Sequence, residues 1–84
     1  MRFRELDTVV LSRDLPAFGL RAGDLGAVVH VHETGGLEVE FVTASGRTEA
    51  LVALTSTDVR PIAETDLVSV RSLRRSASVE PGAA

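Results

Sequence analysis

Residues 25–42 read LGAVVHVHETGGLEVEFV and decide the fold. Two runs in which apolar and polar residues alternate flank the Gly35-Gly36 pair, and this pattern is typical of two half-buried strands joined in a hairpin. The period of two places alternate side chains on opposite faces of each strand. We therefore predict that the odd-numbered apolar residues point into a core: Leu25, Ala27, Val29, Val31, Leu37, Val39 and Phe41.

The register of this hairpin follows from keeping both odd-numbered sets on one face. Residues directly opposite each other in an antiparallel pair share a face, so we predict that Val31 pairs with Val39 and that residues 34–36 form the loop. A three-residue loop ends on a left-handed residue, which Gly36 can supply. On the outer face the same register predicts two cross-strand pairs: His30 with Glu40, and His32 with Glu38.

Two further strands and one long loop are predicted around this hairpin. The first strand is the β-branched run over residues 7–11, since such residues suit a pleated, half-buried surface. The last strand covers residues 59–62, where Pro61 cannot donate a backbone hydrogen bond and therefore belongs at a sheet edge. Residues 12–24 form a loop whose large apolar side chains should fold over the core: Leu15, Phe18 and Leu20.

A fourth strand over residues 47–54 follows a turn at Ser45-Gly46. A three-residue turn would bring Glu49 beside Phe41 and bury an unpaired charge, which is costly. We therefore predict a two-residue turn. Two cross-strand pairs follow from it, Phe41 with Ala50 and Val39 with Val52, and four side chains face inward: Thr48, Ala50, Val52 and Leu54.

Five short strands with turn signals at intervals of about eight to twelve residues are typical of a small all-β fold. The long first loop and the tight turn at residues 55–58 before the last strand favour an SH3-like barrel. We predict a small five-stranded SH3-like barrel over residues 1–62. A flexible C-terminal tail over residues 63–84, partly docked or disordered, follows it.

The composition excludes several classes of function. The chain has 84 residues, a net charge of −3 and no Cys. A chain of this size encloses no large substrate cavity, and without Cys there is no disulfide and no thiolate chemistry. No apolar run approaches the ~20 residues of a membrane span. We therefore expect a cytoplasmic protein that works through its surface, with no membrane contact and no cofactor.

Catalysis and nucleic-acid binding are both disfavoured by the residue types present. Neither His is expected to meet a Ser and an Asp in a protected pocket with an oxyanion site, so we expect no enzymatic activity and no catalytic residue. Nucleic-acid barrels supply a basic groove and stacking aromatics, whereas this chain is acidic and has three Phe, no Tyr and no Trp. The same lack of Tyr and Trp excludes the aromatic groove that binds PxxP ligands.

Several short blocks occur in an order that matches a known family. They read ELDTVVL at residues 5–11, DLP at 14–16, GLRAGDLGAVVHV at 19–31, EVEFV at 38–42, GRT at 46–48 and DVRP at 58–61. In these blocks, which span roughly residues 4–62, the chain resembles the small bacterial family called domain of unknown function 4926. The resemblance implies a compact SH3-like barrel and assigns no activity and no site residue. Such proteins can be encoded beside small toxin-like proteins, so the resemblance also raises an antitoxin or immunity role.

One cluster combines residue types that bind metals. His30 and His32 lie two apart on one strand face, and Glu38 and Glu40 are expected opposite them. Zinc takes such N and O ligands in a tetrahedral array. A flat, exposed strand face lacks the outer hydrogen bonds that orient metal ligands. We therefore interpret the cluster as cross-strand His–Glu contacts, with His30 and His32 as weak metal candidates only.

An outward-facing apolar patch is the preferred candidate for partner binding. Three apolar side chains are expected to point outward among charged neighbours, and a patch of this kind is typical of an interaction surface. The candidate partner-binding residues are Val28, Val42, Leu51, His30, His32, Glu38 and Glu40. In the alternative interpretation, the tail covers this patch through Leu67, Val68 or Leu73.

Two features leave alternatives open. A Gly23-Asp24-x-Gly26 turn before a Val-rich strand also occurs in KOW-type barrels, which bind RNA. Arg71, Arg74 and Arg75 could contact phosphate or an acidic partner group, although a solvated basic tail is the preferred interpretation.

The function that we expect from these features is a non-enzymatic protein-interaction module. Its partner would be the product of a neighbouring gene, as in an antitoxin or immunity pair, or a second copy of the chain. A KOW-like RNA- or ribosome-associated barrel is the first alternative, and a metal-binding protein that uses His30 and His32 is the second.

Overall fold

A computed structural model describes residues 2–73 of the chain and contains five strands. They are β1 (Thr8–Leu11), β2 (Leu25–Val31), β3 (Leu37–Val42), β4 (Thr48–Leu54) and β5 (Val59–Pro61). They form one sheet in the order β4-β3-β2-β1-β5, and every neighbouring pair is antiparallel. The prediction of an all-β fold with five strands is confirmed. Because β4 and β5 lie at the two ends of this order, closure into an SH3-like barrel stays a prediction.

The core lies on one face of the sheet. Its buried side chains are Phe3, Val9, Leu11, Leu15, Leu20, Val28, Leu37, Val39, Phe41, Val52, Leu54 and Val59. Burial of each such large apolar side chain stabilises the fold by about 1.5–3 kcal/mol. The inward positions of Leu37, Val39 and Phe41 are confirmed.

The loop before β2 covers one end of this core. A 3-10 turn at Pro16–Phe18 ends on Gly19, and an isolated bridge pairs Leu15 with Leu20. Leu15 and Leu20 are buried, as predicted, whereas Phe18 is 45% exposed and its predicted place over the core is wrong. The bridge places the two Leu side chains inward, while Phe18 lies in the turn between them.

A β-bulge in β2 changes the face on which its side chains lie. Val28 pairs with Val39, and the register shifts before His30 pairs with Glu38, so Val29 is the additional residue. An added residue reverses the alternation of faces along a strand. Val28 is therefore fully buried, and its predicted outward position is wrong. The predicted inward positions of Leu25 and Val29 are also wrong, since these side chains are 37% and 36% exposed.

Gly26 accounts for the phase of β2 before the bulge. It faces the core, where a Cβ atom would lie 2.6 Å from Val39 Cγ1 and 2.9 Å from Phe41 Cε1. Only Gly permits this close approach of the two strands. The strand therefore places Gly26 and Val28 inward rather than Ala27 and Val29.

The β2–β3 loop is one residue earlier than predicted. Val31 pairs with Leu37 rather than with Val39. The amide of His32 donates to the carbonyl of Gly36 at 2.8 Å, so the loop is residues 33–35. Its last residue is Gly35, which has a φ of +97° and supplies the left-handed conformation expected of Gly36.

The β3–β4 hairpin has the predicted pairs and a different turn. Phe41 pairs with Ala50 and Val39 with Val52, as predicted. The amide of Thr43 donates to the carbonyl of Arg47 at 2.9 Å, so the turn has three residues and not two. A register shift beside Val42 makes Glu49 the additional residue of a bulge, which restores the predicted pairs without burying its charge. Thr48, at the start of the strand, is exposed rather than inward.

Pro61 lies in β5 at one end of the sheet order and pairs with Val9, which confirms its edge position. Within residues 2–73 the structure contains no helix with the length and apolarity needed to span a membrane. Of the predicted tail, residues 63–73 are described, and residues 74–84, including Arg74 and Arg75, lie outside the described residues.

Candidate partner-binding surface

The outer face of β3 and β4 carries two large exposed apolar side chains. Val42 and Leu51 are each 55% exposed. Glu40 lies between Ala27 and Leu51 in one cross-strand row, and His30 pairs with Glu38 in the next. The structure therefore brings together most of the predicted partner-binding set on what we call the outer face: Val42, Leu51, Glu40, Glu38 and His30. Val28 lies on the opposite side, in the core.

The polar groups beside these apolar residues contact one another. The strand register pairs Glu38 with His30, so the predicted cross-strand pair of His32 with Glu38 is wrong, although His32 Nε2 still lies 2.8 Å from Glu38 Oε2. The rings of His30 and His32 meet edge to face with their centroids 4.5 Å apart. The predicted pair of His30 with Glu40 is also wrong, because Glu40 pairs with Ala27, and His30 Nδ1 lies 3.7 Å from Glu5 Oε2. Glu40 instead accepts a hydrogen bond from the Thr48 hydroxyl.

The His–Glu cluster spreads its polar groups along the strands. Glu40 contacts Thr48, while His30 lies beside Glu5 and His32 beside Glu38. In the part of the chain that the structure describes, no three His, Cys, Asp or Glu side chains are grouped so that they could hold a metal ion. The arrangement suits a polar rim around an apolar contact.

Every Asp of the sequence caps a backbone amide. Asp14 accepts from the amide of Ala22 at 2.8 Å. The carboxylate of each of the other four accepts a hydrogen bond from the amide of the residue three positions earlier. The backbone amide of the same Asp donates a hydrogen bond to that residue's carbonyl. These four reciprocal turns pair Arg4 with Asp7, Arg21 with Asp24, Thr55 with Asp58, and Ala63 with Asp66. The predicted side-chain capping of the turn at residues 55–58 is confirmed.

Residues 66–73 form a segment that we call the strap. It begins at Asp66, whose carboxylate accepts two hydrogen bonds of 2.9 Å from the Arg60 guanidinium. The Arg60 fork, together with the amide of Ala63, lowers the pKa of Asp66 to about 2. This bidentate contact anchors the start of the strap to β5.

A second fork anchors the strap near its end. Arg71 donates from Nε to Asp24 Oδ1 at 2.8 Å and from Nη2 to Asp24 Oδ2 at 2.5 Å. Its Nη2 also donates to the carbonyl of Gly19 at 3.0 Å. Hydrogen bonds from Arg71 lower the pKa of Asp24 below its usual value. The interpretation of Arg71 as part of a solvated basic tail is wrong.

The two forks bring the strap across the outer side of the sheet. Arg60 and Leu25 both pair with Val10, so the three residues form one row across β5, β1 and β2. The strap is anchored to Arg60 at one end of this row and to Asp24, the neighbour of Leu25, at the other. Val10 is only 5% exposed although it lies outside the core cluster, which fits a strap that passes over it.

A groove of about 590 Å³ lies between the strap and the sheet. Leu25 and Val42 line its sheet side, Leu20 of the preceding loop also lines it, and Val68 and Leu73 line its strap side. The tail therefore covers only part of the predicted apolar patch. The strap reaches the end of the outer face at Val42, while Val42 and Leu51 stay more than half exposed.

Sequence reasoning missed the contact between Asp24 and Arg71. The two residues are 47 positions apart, and no local pattern of charge or spacing links them. A carboxylate that ends a turn and an Arg in a polar tail each have an ordinary local explanation. The fold brings them together.

Comparison with known families agrees with the resemblance expected from the sequence blocks. The model of one family, described as domain of unknown function DUF4926, matches residues 5–61 and so covers all five strands. Comparison with curated proteins and with solved structures gives no match. The strap lies after the matched residues, whereas Asp24 and all the other groove-lining residues outside the strap lie within them. The chain belongs to the DUF4926 family.

Proposed function

We propose that this protein is a non-enzymatic protein-interaction module that binds its partner through the outer face. The observation that carries the proposal is the exposure of Val42 and Leu51, each at 55%, on adjacent strands of a small sheet. Apolar side chains that are grouped within a polar rim are typical of an interaction surface. The rim here consists of Glu38, Glu40 and the two His side chains.

The position of β4 supports the same surface. Within residues 2–73, β4 pairs with β3 alone, so no other described strand pairs with its second edge. An open edge strand can extend its sheet onto another protein. Leu51 lies on this strand, so a partner that pairs with the edge would also cover an exposed apolar side chain.

The roles of the charged side chains favour binding over catalysis. All five Asp carboxylates accept backbone hydrogen bonds, four within turns and Asp14 across a loop, which is a structural use of these groups. Arg13, Arg60 and Arg71 are each paired with an Asp, so these cations are less available to RNA phosphates. RNA binding and metal binding at His30 and His32 are therefore the weaker proposals.

The partner that we propose is a protein encoded by a neighbouring gene, in an antitoxin- or immunity-type pair. The test is co-expression of the two proteins followed by measurement of their affinity. We expect Leu51→Arg and Val42→Arg each to weaken the complex at least tenfold, because a charge would be buried at the contact. The matched control is Leu6→Arg, because Leu6 is also an exposed apolar residue, at 83%. It lies beside Pro61 of β5 and the following residue, Ile62, rather than beside Val42 and Leu51.

A stable complex that all three variants leave unchanged would contradict the proposed surface. Failure to form any complex, combined with salt-sensitive binding of labelled RNA, would favour the KOW-like alternative. Stoichiometric zinc that is lost on His32→Ala would favour metal binding.

A further inference from the structure

The Asp24 carboxylate lies at one end of the groove. Asp24 is held by the amide of Arg21 at 2.8 Å, and its side chain is only 19% exposed. The Gly19 carbonyl lies beside it and accepts from the same guanidinium. Asp14 adds a second negative charge that acts on Arg71. These acceptors form a preorganised site for one guanidinium group.

Apolar side chains continue from this site along the groove. Leu20 and Leu25 lie near Asp24 in the chain, and Val42 lies at the far side, on β3. In the strap, Leu73 follows Arg71 by two residues and lines the same groove. In an extended segment, residues two apart point in the same direction. The groove therefore accepts an Arg and an aliphatic side chain together.

The strap fills this groove incompletely. Leu67, Val68 and Val70 are 94%, 70% and 97% exposed, so most of the strap's apolar surface stays in water. Within the described residues, the backbone of residues 67–73 donates and accepts no hydrogen bond to the sheet. Two bidentate Arg–Asp pairs hold the strap in place. A segment that makes more contacts with the groove than the strap does would displace the end of the strap that contains Arg71.

We propose that this groove binds an extended, Arg-bearing segment of a partner protein, and that Arg71 and Leu73 act as an intramolecular competitor for it. The inference rests on the proposed protein-interaction function and names the chemistry of the partner: an Arg followed two residues later by an aliphatic side chain. Charge complementarity supports this occupant, because the Asp24 carboxylate accepts two hydrogen bonds from the guanidinium of Arg71. The groove is also continuous with the outer face through Val42.

The test uses the full-length chain and a labelled peptide with the sequence of residues 67–73, LVSVRSL. In the Arg71→Gln variant the competitor loses its guanidinium and Asp24 is free. We expect the peptide to bind this variant at least tenfold more tightly than the unsubstituted chain. The signals that change in an NMR titration should be those of residues 19–25 and of Val42.

Two controls separate the guanidinium site from apolar association. A peptide in which Gln replaces its Arg should lose the binding, and this control leaves the protein unaltered. The double variant Arg71→Gln, Asp24→Asn should also lose binding of the original peptide. Circular dichroism checks that this variant is folded. The inference is overturned if the peptide binds equally to the unsubstituted chain and to Arg71→Gln. It is also overturned if either control leaves the affinity unchanged, or if no binding occurs at millimolar peptide.

The partner complex distinguishes this inference from the proposed function. We expect Arg71→Gln to strengthen the complex and Asp24→Asn to weaken it. If Leu51→Arg weakens the complex while the Asp24 and Arg71 variants leave it unchanged, the groove inference fails and the proposed function stands. If no protein partner forms a complex but the peptide binds as expected, the groove is a peptide site and the proposed partner is wrong.

Discussion

Leu6 and Gly23 occupy equivalent positions in two turns that each end on an Asp. In both turns the following residue, Asp7 or Asp24, accepts a hydrogen bond from the amide three positions earlier. Both positions have a left-handed backbone, with φ of 74° at Leu6 and 97° at Gly23. Gly adopts this conformation without strain, whereas a Leu side chain does not.

We therefore expect Leu6→Gly to stabilise the fold by about 0.5–1 kcal/mol. Relief of the left-handed strain exceeds the entropy that Gly adds to the unfolded chain, and little burial is lost because Leu6 is 83% exposed. Urea denaturation measures the change. Gly23→Ala is the matched control and should destabilise by about 1 kcal/mol, since it introduces the same strain. Destabilisation by Leu6→Gly would show that the exposed side chain has a contact of its own.

Gly26 tests the close approach of β2 and β3. Gly26→Ala should destabilise the fold by about 1–3 kcal/mol, because its Cβ would overlap Val39 and Phe41 in a packed core. Gly36→Ala is the control. Gly36 has no positive φ, and the nearest atom to its Cβ would be His32 Cδ2 at 3.7 Å. Similar free energies of unfolding for the two variants would be inconsistent with the packing around Gly26.

The loop over the core gives a second comparison. Leu20→Ala should cost about 2–5 kcal/mol, since it leaves a cavity in the core. Phe18→Ala should cost less than about 1 kcal/mol, because a side chain that is 45% exposed leaves little cavity. Thermal unfolding of both variants measures the difference, and a larger loss for Phe18→Ala would place Phe18 against the core after all.

Acid should weaken the fold through three carboxylates. The pKa of Asp58 is lowered by the amide of Thr55 and then by Arg13, that of Asp24 by Arg71, and that of Asp66 by Arg60. For Asp66, the pKa falls from an ordinary 3.8 to about 2. Because the unfolded state binds protons first, stability should be constant well above pH 3.8 and fall as the pH drops toward about 2.

Urea midpoints between pH 7 and pH 2 check this dependence. In Asp66→Asn, one of the three carboxylates is absent, so the fall in stability between pH 4 and pH 2 should be smaller than in the unsubstituted chain. Glu64→Gln is the control, since Glu64 is exposed and lies in the same turn. Equal acid profiles for Asp66→Asn and the unsubstituted chain would mean that Asp66 is unpaired in solution.

Sequence reasoning about the candidate surface succeeded on β3 and β4 and failed at the bulge in β2. The outward positions of Val42 and Leu51 were predictable because β3 alternates regularly and the pairing of Phe41 with Ala50 was recognised. Val28 was placed on the wrong face because Val29 is an additional residue in β2. Period-two alternation contains no information about one inserted residue, and every side chain beyond the insertion changes face.

The sequence by itself determined the local features of this protein: five strands, loops that contain Gly, turns that end on Asp, and an apolar face on β3. These depend on the conformational preferences of neighbouring residues and on short-range alternation. Only the tertiary structure decided that Val28 is buried and that Arg71 binds Asp24. Both depend on contacts between distant parts of the chain. Gly26 must meet Val39 and Phe41 to set the phase of β2, and Arg71 must reach a carboxylate 47 positions away.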